Sequence, residues 1–298
     1  MNNYKPLTLP FLPNVLGGEE GFYNSSVGKI YFNVEGKGST LLLIHGINAG
    51  ASNFVWRKNF KELTKEFKVY TIELPGFGRS DKDSIIYRPM TFASAIIEFI
   101  EVVIKEPVSV IASDLTADYL FFISFTRKEY IKKLILISPS LKVYSDLPCE
   151  TSFKTFGLFT GDFIGDGLYN TLTSKKSIDY FLKDRVYMDD KNVTPYVVRY
   201  NFLASHQGDN AKYAPASFIS GFSDINIVNL ISKIRQPTLI IWGRNNKLSN
   251  FNNMYIFLNL NMRFKSCLFG NSGALPQVEE YKRFNDVCTN FLSSCLNY

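Results

Sequence analysis

The stretch Val108-Ser109-Val110-Ile111-Ala112-Ser113-Asp114-Leu115-Thr116-Ala117 constrains this chain more than any other. After Pro107 it is β-branched and apolar, the pattern of a short buried strand. It then passes through small and polar residues into Ala117-Asp118-Tyr119-Leu120-Phe121-Phe122, which suits a helix. A strand that breaks sharply into a helix presents one side chain at its apex, beside the free N–H groups of the first helical turn. The bend tolerates only small residues two before and two after the apex. Ala112 and Thr116 satisfy this around Asp114, whereas an apex at Ser113 would put Ile111 and Leu115 in the tight positions. The apex side chain is therefore expected to be a carboxylate, Asp114.

The rest of the chain falls into a rhythm around that bend. Lys29–Val34, Thr40–Ile44, Lys68–Ile72, Lys133–Ile137, Thr238–Trp242 and Phe264–Leu268 read as strands, several of them continuous apolar runs of the kind covered on both faces. Between them lie helical stretches: Phe54 to Glu66, Thr91 to Lys105 with Phe92, Ala95, Ile96, Phe99, Val102 and Val103 on one face, Phe251 to Leu258, and Val278 to Cys295. Alternation of this kind implies an α/β fold with a mostly parallel, doubly covered sheet. Residues 1–27, punctuated by prolines and Gly17-Gly18, are expected to be an N-terminal arm. The rhythm fails over 144–228, an aromatic segment helical in patches (Ser177 to Val186, Thr194 to Ala204) and broken by Gly161, Gly165 and Gly167. This is read as an inserted helical lid, leaving 28–143 and 229–298 as the core.

Charge and cysteine content narrow the function. The net charge of +6 comes from scattered basic residues, with Lys132-Lys133 and Lys175-Lys176 only as pairs, so a solvated surface is favoured over a nucleic-acid face. No run reaches the roughly 18 apolar residues of a membrane span, and the first residues lack the pattern of a secretory signal. Cys149, Cys267, Cys288 and Cys295 show no metal-binding spacing and are expected to be buried free thiols in a cytoplasmic protein. No motif implies a cofactor. A small-molecule ligand or substrate is the expected partner, with no nucleic acid; a homodimer is compatible with the sequence.

Several landmarks, in order, carry a family resemblance. They are Leu42-Leu43-Ile44-His45-Gly46, the turn Glu73-Leu74-Pro75-Gly76-Phe77-Gly78-Arg79-Ser80, the bend at Asp114, the insertion, Leu239-Ile240-Ile241-Trp242-Gly243, and Gly273-Ala274-Leu275-Pro276-Gln277-Val278-Glu279. Together they resemble the α/β-hydrolase fold superfamily, particularly its lid-bearing members such as haloalkane dehalogenases and epoxide hydrolases. The resemblance implies an eight-stranded, mostly parallel sheet with helices on both faces. It also implies a triad of nucleophile, acid and base at positions 114, 246 and 274, and an oxyanion hole from the N–H groups of Ile47 and Leu115. His45, Trp56 and Ser113 are expected around the pocket.

The chain departs from the family at all three triad positions. Asp114 stands where G-x-S-x-G has serine, Asn246 where an acid is usual, and Ala274 where the base histidine belongs. The relatives with an aspartate nucleophile break its covalent ester with water activated by that histidine. Removal of a triad member typically costs about four to six orders of magnitude in rate, so ordinary triad hydrolysis is not expected. Three readings of Asp114 stand side by side: a carboxylate with a chemical role, a cap filling its own helix terminus, and an anchor for a cationic or hydrogen-bond-donating ligand. Only two histidines are present, His45 in the HG turn and His206 in the lid. His206 as a relocated base is the sharp alternative to a degenerate site.

Overall fold

The computed structural model describes residues 11–141 and 148–294. An eight-stranded sheet has the order β1-β2-β4-β3-β5-β6-β7-β8. Its strands are β1 (Glu19–Ser25), β2 (Gly28–Glu35), β3 (Ser39–Ile44), β4 (Phe67–Ile72), β5 (Val108–Ser113), β6 (Ile131–Ile137), β7 (Thr238–Gly243) and β8 (Lys265–Phe269). The run from β4 through β8 is parallel, while β1 and β2 are antiparallel additions at one edge. Part of the expected arm is thus a strand: Glu19–Ser25 pairs with β2 along its whole length. Its faces are polar or half-buried, so it lacks the apolar alternation that marks a strand in sequence.

Alternation along the central strands builds two cores. Leu42, Ile44, Val110, Ala112, Leu134, Leu136, Ile240 and Trp242 point to one side, where α2 (Pro89–Phe99), α3 (Asp114–Thr126) and α10 (Asn253–Leu260) cover them. Leu41, Leu43, Ile111, Ile135, Ile137, Leu239 and Ile241 point to the other, under α1 (Phe60–Leu63) and α12 (Tyr281–Ser293). Both faces of each strand are buried, which is why these strands read as unbroken apolar runs.

Local differences from the sequence reading have identifiable causes. The helix expected over Phe54 to Glu66 is instead a 3-10 turn at Asn53–Trp56 followed by the single turn α1. After α2 the chain makes a π turn over Ile100–Ile104 and stops at Lys105 with φ +63°. A wider turn rotates the following residues around the axis, and Val102, expected on the buried face, is 50% exposed. The last helix is two, α11 (Pro276–Glu279) and α12, with Cys295 outside the described residues. The remaining thiols are not uniformly buried: Cys288 is enclosed, Cys267 is half-covered and Cys149 is exposed.

Between β6 and β7 the described chain forms α4 (Glu150–Thr160), α5 (Asp162–Leu172), α6 (Lys175–Phe181), α7 (Pro195–Ser205), α8 (Tyr213–Ile219) and α9 (Val228–Ile231). Gly161 separates α4 from α5, but Gly165 and Gly167 lie inside α5 rather than breaking it. At Gly165 any side chain would meet the carbonyl oxygen of Phe159 at 2.6 Å, so the missing Cβ there serves close packing. A third apolar cluster joins this insertion to the core through Phe54, Val186, Tyr187, Val197, Tyr200 and Ala274. No described helix is long and apolar enough to cross a membrane.

Candidate functional site

The parallel strands all end on one side, and consecutive strand ends place the candidate positions there. His45 and Gly46 follow β3, Asp114 follows β5, Ser138 follows β6, Asn246 comes shortly after β7 and Ala274 shortly after β8. The bend at the end of β5 has the backbone expected of an apex: Asp114 has φ +52°, a left-handed conformation uncommon outside glycine, while Ser113 remains extended. Ala112 and Thr116 are wholly buried. Thr116 donates its hydroxyl to the carbonyl of His45 at 2.8 Å, fastening α3 to the HG turn. A Cβ at Gly46 would overlap the Asp114 carboxylate and lie 3.0 Å from the Ser113 hydroxyl, so the carboxylate rests directly on a bare backbone.

The Asp114 carboxyl accepts no hydrogen bond from the described residues, and burial alone pushes its pKa up to about 7. The cap reading does not survive this. Ser113 occupies the cap position, Asp114 is the first helical residue, and its side chain does not close back on the helix. The N–H of Leu115 lies in the first turn, where an α-helix supplies no acceptor. Ile47 and Leu115 are both buried beside the carboxyl's two supports, the HG turn and the elbow.

Neither histidine is offered to Asp114. The imidazole of His45 is buried and held neutral, its pKa lowered by desolvation. Its Nδ1 lies 2.7 Å from the carbonyl of Gly46, and its Nε2 accepts the N–H of Leu74 at 3.0 Å. This ring ties the HG turn to the next turn, a structural task that consumes both nitrogens. His206 ends α7 with Nδ1 2.8 Å from the Phe202 carbonyl and Nε2 3.3 Å from the Thr173 hydroxyl. Its ring packs against Phe202 and Tyr169. Every described partner of His206 belongs to the insertion.

The other two triad positions are engaged structurally. Asn246 accepts the N–H groups of Leu248 and Ser249 at 2.9 and 3.1 Å and donates to the Ser138 hydroxyl at 3.2 Å. Ala274 is buried, donates its N–H to Val186 at 2.8 Å, and packs into the cluster beneath the insertion. Trp56 is wholly buried within the core on the α1 and α12 side of the sheet, so it is not a pocket wall. Ser113 is likewise buried, in contact range of Gly46. Two surface clefts run along β1, β2 and the π turn after α2 (Phe22, Phe32, Val103) and along α2 and α3 (Met90, Glu98, Phe122); neither is lined by elbow residues. Among the described residues no group of three or more His, Cys, Asp or Glu is placed to hold a metal ion.

Sequence reasoning passed over one acidic residue. Asp118, one turn beyond Asp114, is wholly buried, and Ser140 donates to its carboxyl through both its N–H, at 3.1 Å, and its hydroxyl. Its signal was present: Asp114 and Asp118 are the only charged residues in α3. Glu73, the first residue of the Pro-Gly turn, is a second enclosed acid. It is buried, 2.6 Å from Arg79, and accepts the N–H groups of Asn53 and Arg79. Arg79 in turn donates to the carbonyls of Leu12 and Pro13 and to the hydroxyl of Tyr200 on α7.

Comparison with known proteins agrees with this architecture. A family described as "alpha/beta hydrolase fold" matches residues 39–281. The 2-hydroxy-6-oxo-6-(2'-aminophenyl)hexa-2,4-dienoic acid hydrolase of Metapseudomonas resinovorans is 22% identical over 280 residues, covering 92% of this chain and 91% of that protein. A soluble epoxide hydrolase of Corynebacterium sp. (strain C12) is 22% identical, covering 72% and 77%. Among solved structures, a meta-cleavage product hydrolase from Pseudomonas fluorescens IP01 superposes with a TM-score of 0.75 at 20% identity, covering 94% of this chain and 98% of its own. The strand order, the sharp bend at Asp114 and the match across most of the sequence lead to one conclusion: the chain belongs to the α/β-hydrolase fold family.

Proposed function

We propose that this chain keeps the hydrolase scaffold without ordinary triad hydrolysis and uses the floor around Asp114 to bind a small apolar or aromatic molecule beneath a lid formed by the insertion. The observation that carries this reading is the engagement of both imidazoles elsewhere, with Asp114 left unpartnered. A triad needs a base within hydrogen-bond reach of its nucleophile or of the attacking water, and none of the described residues provides an imidazole there. A half-buried, desolvated carboxyl with no partner among the described residues is costly for a protein to maintain, and a ligand that hydrogen-bonds to it recovers that cost. The relative from Metapseudomonas resinovorans is named for an aminophenyl dienoic acid, which makes conjugated keto acids a suitable first set of probes. The exposed free thiol of Cys149 suits the reducing cytoplasm that this reading assigns to the protein.

A second reading, hydrolysis through Asp114 itself, is favoured by the elbow geometry and by the likeness to a soluble epoxide hydrolase. A carboxylate attacks without a base, and the stalled step would be release of the ester. Intact-mass spectrometry after exposure to epoxides, alkyl halides and activated esters separates the two. The first reading expects no multiple turnover and the same product yield from wild type and Asp114→Ala. An adduct on Asp114 that forms and then clears, with product accumulating many times over the protein, overturns it.

A further inference from the structure

We propose that the outward face of α5 is a self-association surface, which meets the same face of a second copy of this chain, antiparallel, about a two-fold axis through Gly167. The inference concerns the insertion alone and is independent of how Asp114 is read.

Apolar side chains crowd the outside of the insertion. Phe163 is 96% exposed and Ile164 66%, and Phe153, Leu158 and Leu172 are also open on α4 and α5, which pack side by side. Single exposed hydrophobic residues need no explanation, but a contiguous group marks a contact surface. With about 3.6 residues per turn, Phe163, Ile164, Gly167, Asn170 and Thr171 share one side of α5. Every one of them is exposed, whereas Gly165 and Tyr169 on the opposite side are buried.

Three features select a second copy as the occupant. Charge is arranged end to end: Asp162 and Asp166 lie in the first half of α5, and Lys175 and Lys176 follow its last turn. Antiparallel pairing about the helix centre brings the acidic end of each copy beside the basic end of the other. Gly167 is the middle residue of Asp162–Leu172. The axis therefore sets Gly167 against itself and Phe163 of one copy over Thr171 of the other, the reciprocal contacts of an isologous interface. Nothing within the chain, finally, requires a glycine there. A Cβ at Gly167 would meet no atom within 4 Å, and glycine weakens a helix interior. A second helix approaching the bare backbone supplies the reason.

A lipid surface suits the face less well. From Glu150 to Phe181 four acids (Glu150, Asp162, Asp166, Asp179) outnumber three bases (Lys154, Lys175, Lys176), so the face offers no positive field to an anionic leaflet. Each of α4 and α5 has 11 residues, which makes the face about 16 Å long. It buries less than the roughly 800 Å² per partner of a standard interface, and half-association is expected at micromolar concentrations.

Sedimentation equilibrium of the full chain tests this. Wild type is expected to pass from one to two times the 34.0 kDa chain mass as concentration rises through the micromolar range. Gly167→Glu and Gly167→Lys each set like charges against one another at the axis and should weaken self-association at least about tenfold. The fold should be unaffected, since a Cβ there touches nothing. Mixed in equal amounts, the two variants should pair again as a heterodimer, a result that general loss of structure does not give. Phe163→Ala is expected to weaken the dimer as well, and it carries the test if the charged variants fail to fold. A wild type that stays monomeric up to about 1 mM, whether or not it binds phosphatidylcholine vesicles, overturns the proposal. So does a dimer indifferent to these changes, or a failure of the two charged variants to pair on mixing.

Discussion

Gly46 and Asp114 share one contact: the Asp114 carboxylate occupies the space that a Cβ on residue 46 would need. The glycine of the HG turn thus makes room for the apex side chain of a different loop. Gly46→Ala is expected to force the carboxylate or the turn aside at a cost of about 1–3 kcal/mol, the usual range for overpacking. In Asp114→Ala the obstructing carboxylate is absent, so the same glycine change should cost much less. Urea denaturation of the two single variants and the double variant measures that coupling directly. Additive effects would show that the two residues do not share the space.

The raised pKa of Asp114 fixes a sign for stability against pH. An acid whose folded pKa lies near 7 and whose unfolded value is about 3.9 binds protons more tightly in the folded state. Its contribution is most favourable below about pH 4, declines as pH rises toward 7, and is level above that. Asp114→Asn removes the group and retains a residue that tolerates φ +52°. The variant should therefore lose part of the decline between pH 4 and 7 and be the more stable protein at pH 8, by roughly 1 kcal/mol or more. Chemical denaturation at pH 4, 6 and 8 checks it; parallel curves for variant and wild type would rule out a desolvated carboxyl without a partner among the described residues.

The Glu73–Arg79 pair is almost fully enclosed, with side-chain exposures of 0% and 3%. Breaking an enclosed pair by removing one partner strands a charge and typically costs about 3–5 kcal/mol. Glu73→Ala is expected to fall in that range in equilibrium denaturation, while Lys65→Ala, from the exposed pair with Glu62, should change stability by less than about 1 kcal/mol. A small loss for Glu73→Ala would contradict the enclosed geometry.

Ala274 carries the cost of restoring a base. Its methyl group is buried among Phe54, Val186, Tyr187 and Tyr200, and its N–H is tied to Val186. Ala274→His is expected to destabilise by about 1–3 kcal/mol and, even combined with Asp114→Ser and Asn246→Asp, to need a shift of the insertion before an imidazole reaches the elbow. Melting temperatures of the single and triple variants test this, and unchanged stability in Ala274→His would show spare room at that position.

Thiol reactivity separates the cysteines. Cys149 is exposed, with its pKa lowered by the N–H groups of Ser152 and Thr151, while burial raises that of Cys288. Native alkylation followed by peptide mass mapping should label Cys149 first and Cys288 only on unfolding.

The elbow was legible in the sequence because its constraint is steric and local. Ala112 and Thr116 had to be small, and that alone selected Asp114 over Ser113. The central strands were legible because burial on both faces leaves unbroken apolar runs such as Thr40–Ile44. What escaped was non-local or off-period. Strand β1 has no apolar face to announce it, and Val102 left the helical stripe because a π turn rotated it outward. The latch between Asp118 and Ser140 joins residues 22 apart in sequence, and no spacing rule links them. Trp56 gave no hint of which side of the sheet it would occupy, since a tryptophan serves core and pocket wall equally well.

Arg79 has one consequence for the order in which the molecule assembles. A single guanidinium gathers Pro13, near one end of the chain, and Tyr200, far along it, while the tyrosine hydroxyl also reaches Pro13 across 187 positions. On a ribosome the tie between Pro13 and Tyr200 must wait until the 187 positions separating them have been made, although Arg79 can take hold of Pro13 much sooner. The guanidinium is thus a landing place prepared before the insertion arrives to complete it.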